Sequence, residues 1–174
     1  EVANGIDNRQ VEPVRESKSV GRETTFPQDI GEQYVLETIL FTLADDVCHT
    51  LRTSGLKGKT ISIKIRYPDF RSITRAVTLD SYTASFEPVF DAVQQLMRDN
   101  YQDGTPVRLI GVTVSSLKKD DEIIEQQDLF GDDSRKVRQQ ELNSVMDKIN
   151  ARYGGDTVHR ARKLTGWDKN GELF

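Results

Sequence analysis

A chain of 174 residues, 36% of them hydrophobic, is long enough to bury one sizeable core, and its apolar stretches are too short and too often broken by charge to form a membrane-spanning helix. A single cysteine, Cys48, with only His49 and His159 beside it in the composition, leaves a zinc site without a ligand set and fits a reducing compartment. The net charge of −4 reads against a polyanion partner until its distribution is considered: residues 120–133 hold seven acids and no Lys or Arg, and setting those seven aside leaves +3. Residues 57–75 carry Lys57, Lys59, Lys64, Arg66, Arg71 and Arg75 against the single acid Asp69, so a basic region and an acidic one share the chain.

Residues 1–14 are polar, without sustained periodicity, and read as a linker; with no initiator Met they are expected to continue a longer polypeptide. A first strand is expected through Arg15 to Phe26, where Lys18 and Arg22 supply charge, Ser17 and Ser19 supply hydroxyls, and Gly21 lets a ligand approach the backbone. An edge strand protected from aggregation by Lys, Arg and Gly has the same composition. Leu36, Leu40, Leu43, Val47 and Leu51 then recur at helical spacing, with Asp29 near the start and Gly55 past the end. Cys48 falls on this helix and reads as a buried small hydrophobe.

Residues 60–67 alternate, with Ile61, Ile63, Ile65 and Tyr67 on one face and Ser62, Lys64 and Arg66 on the other. Pro68-Asp69-Phe70 makes a corner, and residues 71–79 form the antiparallel partner. There Arg75 shares parity with Ile73, Val77 and Leu79, and alternation alone does not place it. A second helix starts near Ser85, with Pro88 tolerated in its first turn, and carries Phe86, Val89, Phe90, Val93, Leu96, Met97 and Tyr101. Residues 107–115 form the last strand, with Ile110, Val112 and Val114 inward and Leu109, Gly111, Thr113 and Ser115 outward.

The order strand, helix, strand, strand, helix, strand is the split β-α-β arrangement of an α+β domain: a four-stranded sheet, two helices on one face, the other face open. By parity the open face carries Ser19, Gly21, Lys64, Arg66, Ser72, Thr74, Gly111, Thr113 and Ser115, small donors among cations. Such a face suits a duplex backbone and sequence-independent binding, whereas single-stranded RNA calls for aromatic platforms. A ferredoxin-like regulatory or RNA-binding module is the alternative, because this topology hosts many functions.

Lys18-Ser19-Val20-Gly21-Arg22 with Thr25-Phe26, Asp69-Phe70 leading to Thr74, and Val107 through Val114 together resemble the little-finger domain of Y-family translesion DNA polymerases of the DinB type, with Gly5-Ile6-Asp7 similar to the linker preceding it. The resemblance implies phosphate contacts from Lys18, Ser19, Gly21, Arg22, Arg108, Thr113 and Ser115, with Arg71, Ser72, Thr74 and Arg75 as further candidates. Thr113 stands where some relatives carry a basic residue. Gln126-Gln127-Asp128-Leu129-Phe130 resembles the bacterial sliding-clamp-binding peptide: Leu129 and Phe130 would fill an apolar pocket, with Gln126 at its edge and Asp128 between.

The domains implied are a linker over 1–14, a little finger over 15–118, an acidic loop with the clamp-binding peptide over 119–133, and a helical or flexible tail over 134–174. Within the tail Ser134 can cap a helix bearing Val137, Leu142, Val145, Met146, Ile149 and Tyr153, whose apolar side has three candidate fates: packing on the little finger, binding a partner, or ordering only in the full protein. Arg160, Arg162, Lys163 and Trp167 follow in a segment expected to fray or to add a weak basic contact. The paired acids Asp45-Asp46 and Asp120-Asp121 lie in no recognisable polymerase motif, so this fragment is expected to have no catalytic residues, cofactor or metal of its own. Mg2+ and nucleotidyl transfer are expected of the parent polymerase. A monomer in the bacterial cytoplasm, associated with the nucleoid and with template-primer DNA and the clamp as partners, completes the expectation.

Overall fold

The computed structural model describes residues 17–123, 134–154, 157–158 and 160. In chain order they form β1 (Ser19–Ile30), α1 (Gln33–Thr53), β2 (Leu56–Arg66), β3 (Ser72–Thr83), α2 (Phe86–Asn100), β4 (Val107–Ser115), the two-residue β5 (Lys118–Lys119), a 3-10 turn over Asp120–Glu122, and α3 (Ser134–Tyr153). The main sheet has the order β1-β4-β2-β3, antiparallel throughout, and β5 pairs with the start of β2. Each β-α-β crossover is therefore split by an inner strand, β4 lying between β1 and β2, and β2 between β4 and β3. An approximate twofold exchanges β1-α1-β2 with β3-α2-β4, placing β1 and β3 at the two edges.

Alternation in β2 and β4 sends Ile61, Ile63, Ile65, Ile110, Val112 and Val114 to one side, all buried against the helices. From α1 they meet Leu36, Leu40, Val47 and Leu51, and from α2 Val89, Val93 and Met97. Phe41, Phe86 and Phe90 cluster where the helices touch, with centroids 4.7 to 5.2 Å apart. Cys48 is fully buried on α1, and that burial pushes its thiol up to about 12, so it is neither thiolate nor nucleophile at neutral pH.

Four boundaries differ from the sequence expectation. β1 runs on to Ile30 through a register shift after Thr25, which its position at the sheet edge allows, Pro27 having no N–H to pair. Asp29 thus sits in the strand, bonded to Arg108, and does not cap α1. The free N–H of Gln33 instead donates to Asp103 Oδ1 at 3.1 Å, seventy residues away. Tyr101, just past α2, closes the same end of the domain by sharing its hydroxyl proton between the carbonyls of Gly31 and Thr105. β2 and β3 also exceed their predicted spans, since Leu56 and Lys57 pair with β5 and Gly58 with Thr83.

α3 lies against the helical layer in the opposite sense to an ordinary amphipathic helix. Asp147 accepts from Arg52 at 2.6 Å and lies 2.9 Å from His49 Nδ1. Asn143 is buried, and Arg160, beyond the helix, bonds Asn143, Asp45 and Glu87 at 2.7, 2.8 and 3.1 Å while its guanidinium lies 4.2 Å from the Phe86 ring centroid. Gln139 also donates to Glu87. Arg160 is therefore a structural anchor and not part of a frayed end, and the apolar residues Leu142, Val145 and Tyr153 face away from the sheet and its two helices.

Burial alone would raise the Asp147 carboxyl, but its bonds from Arg52 and His49 outweigh that and hold it below the ordinary value of 3.8. A carboxylate lowered in the folded state stabilises it fully above the unfolded pKa, and that support is lost as pH falls through the folded one. Amide exchange of α3, corrected for intrinsic rates, is expected to accelerate relative to β2 as pH drops below about 4. Asp147→Asn should abolish the differential, and an unchanged ratio down to pH 2 would refute the attribution.

Candidate nucleic-acid interface

The strand registers align the bare face into four rows running from β1 through β4 and β2 to β3. They are Ser19-Ser115-Thr60-Thr78, Gly21-Thr113-Ser62-Ala76, Glu23-Gly111-Lys64-Thr74 and Thr25-Leu109-Arg66-Ser72. Ten of the sixteen side chains are Ser, Thr or Ala and two positions are Gly, so the surface is low and rich in hydroxyls. Thr60 shares hydrogen bonds with Thr78 and Ser116 at 3.1 Å each, Ser62 donates to the Thr113 carbonyl, and Ser115 to the Thr60 carbonyl. Each hydroxyl keeps a lone pair or a rotatable proton for an outside partner.

Of the cations proposed for the site, Lys64 and Arg66 stand in these rows. Lys64 reaches over Gly111 to Glu23 Oε2 at 2.9 Å, bridging two strands across the position where a side chain is missing. A Cβ on Gly111 would meet the Glu23 Cβ at 2.8 Å, so glycine is required by the close pairing of β1 with β4. Arg66 is held upright by Ser72 Oγ at 3.0 Å. Ser19, Gly21, Ser72, Thr74, Thr113 and Ser115 take the places parity assigned them.

Other candidate residues lie elsewhere. Arg22 and Arg75 occupy the two ends of one row, Arg22-Val112-Ile63-Arg75, on the helix side of the sheet. Arg22 reaches Thr50 of α1 at 3.5 Å and Arg75 reaches Asn100 of α2 at 3.0 Å. The parity conflict at Arg75 is thereby resolved: on an edge strand a long polar side chain in the core row can turn out past the end of the helix layer. Lys18 precedes β1 and is exposed. Arg71 is exposed in the Pro68-to-Arg71 corner, its guanidinium 5.1 Å from the Tyr67 ring centroid. Arg108 is bonded to Asp29 at 3.1 Å and lies 5.2 Å from the Phe70 ring centroid.

Three features of the face escape pattern reading. Glu23 places an acid beside Lys64, visible only once the register is known. Leu109, predicted outward, has the right parity but is only 3% exposed. Phe70 is 68% exposed in a left-handed conformation, φ +64°, putting an aromatic ring at a margin expected to lack one. The clamp-peptide residues Gln126, Asp128, Leu129 and Phe130 lie outside the described residues. Asp45 is committed to Arg160, and Asp120 to Lys57 at 2.8 Å. Among the described residues no cluster of three or more His, Cys, Asp or Glu stands close enough to hold a metal ion.

Four antiparallel strands, two helices on one face and a low hydroxyl face on the other define a two-layer α+β domain of the split β-α-β class. Residues 17–129 match the impB/mucB/samB family C-terminal domain. The chain belongs to that family, as a little-finger domain of the DinB type of Y-family DNA polymerases. DNA polymerase IV of Clostridioides difficile (strain 630) is 42% identical over 130 residues, covering 74% of this chain and 35% of that protein. DNA polymerase IV of Moorella thermoacetica is 34% identical over 166 residues, covering 94% and 40%, so the likeness continues past residue 129 through α3. A solved complex of beta-clamp processivity factor and the little finger domain of PolIV is similar at 23% identity and a TM-score of 0.48, covering 65% of this chain and 98% of that one. The chain spans 35% and 40% of the length of the two polymerases.

Proposed function

We infer that this chain gives a DinB-type translesion polymerase its sequence-independent grip on template-primer duplex and its tether to the sliding clamp, in the service of DNA damage tolerance. The observation that carries the DNA reading is the four-by-four face of small hydroxyl, glycine and basic positions on an otherwise packed domain. Hydroxyls and backbone N–H groups satisfy phosphate oxygens without distinguishing bases, and Lys64 and Arg66 add charge. Lys18, Arg22 and Arg75 at the sheet edges and Arg71 in the β2–β3 corner extend the positive field to both margins, while Arg108 at the start of β4 is bonded to Asp29. The clamp reading rests on Gln126 to Phe130, a glutamine with a Leu-Phe pair in an acidic setting. Nucleotidyl transfer and the Mg2+ it needs are assigned, on this reading, to the parent polymerase.

The pairing of Lys64 with Glu23 gives this reading a distinctive test. Glu23→Gln frees the ammonium for one more phosphate, which at 0.15 M salt is worth roughly fivefold in duplex affinity for a slope of about 0.9 per contact. Fluorescence anisotropy with two duplexes of unrelated sequence should show that gain equally on both, and Lys64→Ala/Arg66→Ala made in the Glu23→Gln background should lower the salt slope by about 2. No measurable duplex binding by the unaltered chain, or preference for one sequence, would overturn the reading.

A further inference from the structure

α3 presents two distinct faces. Gln139, Asn143, Asp147 and Asn150 recur at steps of four, four and three and are turned to the domain; Asn150 holds both backbone groups of Val158, which leads into the Arg160 anchor. Roughly a quarter turn or more away, Leu142, Val145, Ile149 and Tyr153 recur at three, four and four and form an apolar stripe. Leu142 and Val145 are each 51% exposed and Tyr153 65%. The polar network fixes how the helix is rolled, so the stripe is held outward by the fold.

The size of the stripe restricts its occupant. Four side chains over roughly 17 Å of helix fall well short of the ~800 Å² per partner that a stable free-standing interface buries. A second copy of this chain, held by the stripe alone, would not stay bound. The stripe gains force only beside a separate anchor, and one adjoins it in the sequence: Phe130 is four residues from Ser134, at most ~14 Å of extended chain. We propose that the Leu142-to-Tyr153 face of α3 is a second contact on the sliding clamp, docking on an apolar patch next to the pocket that takes Gln126 to Phe130. This rests on the clamp-tethering reading above. With Leu129 and Phe130 seated, so short a connection holds the stripe at an effective concentration in the millimolar range, and a contact too weak to bind by itself adds to overall affinity.

The test is titration of the whole chain with purified clamp. Leu142→Ser/Val145→Ser is expected to weaken clamp binding about tenfold while duplex affinity stays unchanged, and Leu142→Met/Val145→Ile is expected to restore it. Clamp affinity unaltered by the serine pair would overturn the proposal. Amide exchange of the unaltered chain gives a readout free of any folding defect: residues 142–153 should slow on clamp addition, and unchanged rates there would also overturn it. Leu129→Ala/Phe130→Ala should lose nearly all clamp binding; if the unaltered chain binds no clamp, the tethering reading itself fails, a different outcome from loss of the α3 contribution alone. Sedimentation as a dimer that the serine pair converts to monomer would assign the stripe to a second copy and reject the clamp.

Discussion

Arg160→Ala is expected to release α3 from the domain while β1–β4, α1 and α2 remain folded. The guanidinium bonds Asp45, Glu87 and Asn143 within 3.1 Å and covers the Phe86 ring, and both Arg160 and Asp45 side chains are 15% exposed. Deleting one partner of so enclosed an ion pair typically costs about 3–5 kcal/mol, because the remaining carboxylate is stranded away from water. That penalty disappears when α3 lifts off, since water then reaches Asp45, and local undocking becomes the cheapest response. Amides of residues 138–153 should exchange near their intrinsic rates while those of β2 and β4 stay protected. Retained protection across α3 would show that the Asp147 contacts with Arg52 and His49 suffice alone.

Gly58→Ala is expected to destabilise the whole domain by about 2 kcal/mol, a cost in the range of core overpacking. A methyl there would lie 2.2 Å from Val114 Cγ1, 2.9 Å from Leu117 Cδ2 and 3.2 Å from the Ser115 carbonyl, against the core side of the end of β4 and the turn that follows it. Removing a strand glycine gains about 0.5–1 kcal/mol, too little to compensate. Gly21→Ala supplies the internal control. Its nearest neighbour would be Thr113 Oγ1 at 2.6 Å, the tip of a side chain free to turn on an open face, so its effect should stay within about 0.5 kcal/mol. Urea unfolding of the two variants decides the matter, and equal midpoints would refute the distinction between the core-side and open-side glycines.

Legibility in the sequence followed the range of the interactions responsible. Period-two alternation through Ile61, Ile63 and Ile65 and through Ile110, Val112 and Val114 reports a local fact, which side of the backbone each residue occupies, and both strands keep those faces although β2 is longer than its pattern. The helix carrying Leu36 to Leu51 was equally plain, yet its start was misplaced because the group meeting its first N–H, Asp103, comes from another loop. Arg75 could not be placed for a related reason: its alternation was sound, but only strand order reveals that β3 is an edge. That Lys64 has an acid beside it is invisible to alternation, because Glu23 becomes its neighbour only through the β1–β4–β2 register. In α3 the apolar spacing drew attention, whereas Gln139, Asn143 and Asp147, at the same helical interval, are the residues that meet the domain. Polar periodicity signals burial only when its partners are known, and Arg160 and Asp45 are 115 residues apart.

The approximate twofold of the sheet bears on how a polymerase domain of this kind could sit on its substrate. The two backbones of a duplex run with opposite polarity and are themselves related by dyads normal to the helix axis. A sheet whose edges β1 and β3 exchange under the same operation, with Arg22 and Arg75 at equivalent ends of one row, shares that symmetry in its backbone. The side chains break that symmetry: Glu23, Lys64 and Arg66 all lie in the two rows that the twofold exchanges with the uncharged pair. If the face holds a duplex as proposed above, its charged rows lie toward one end of the strands, and the domain itself distinguishes one direction along the helix axis from the other.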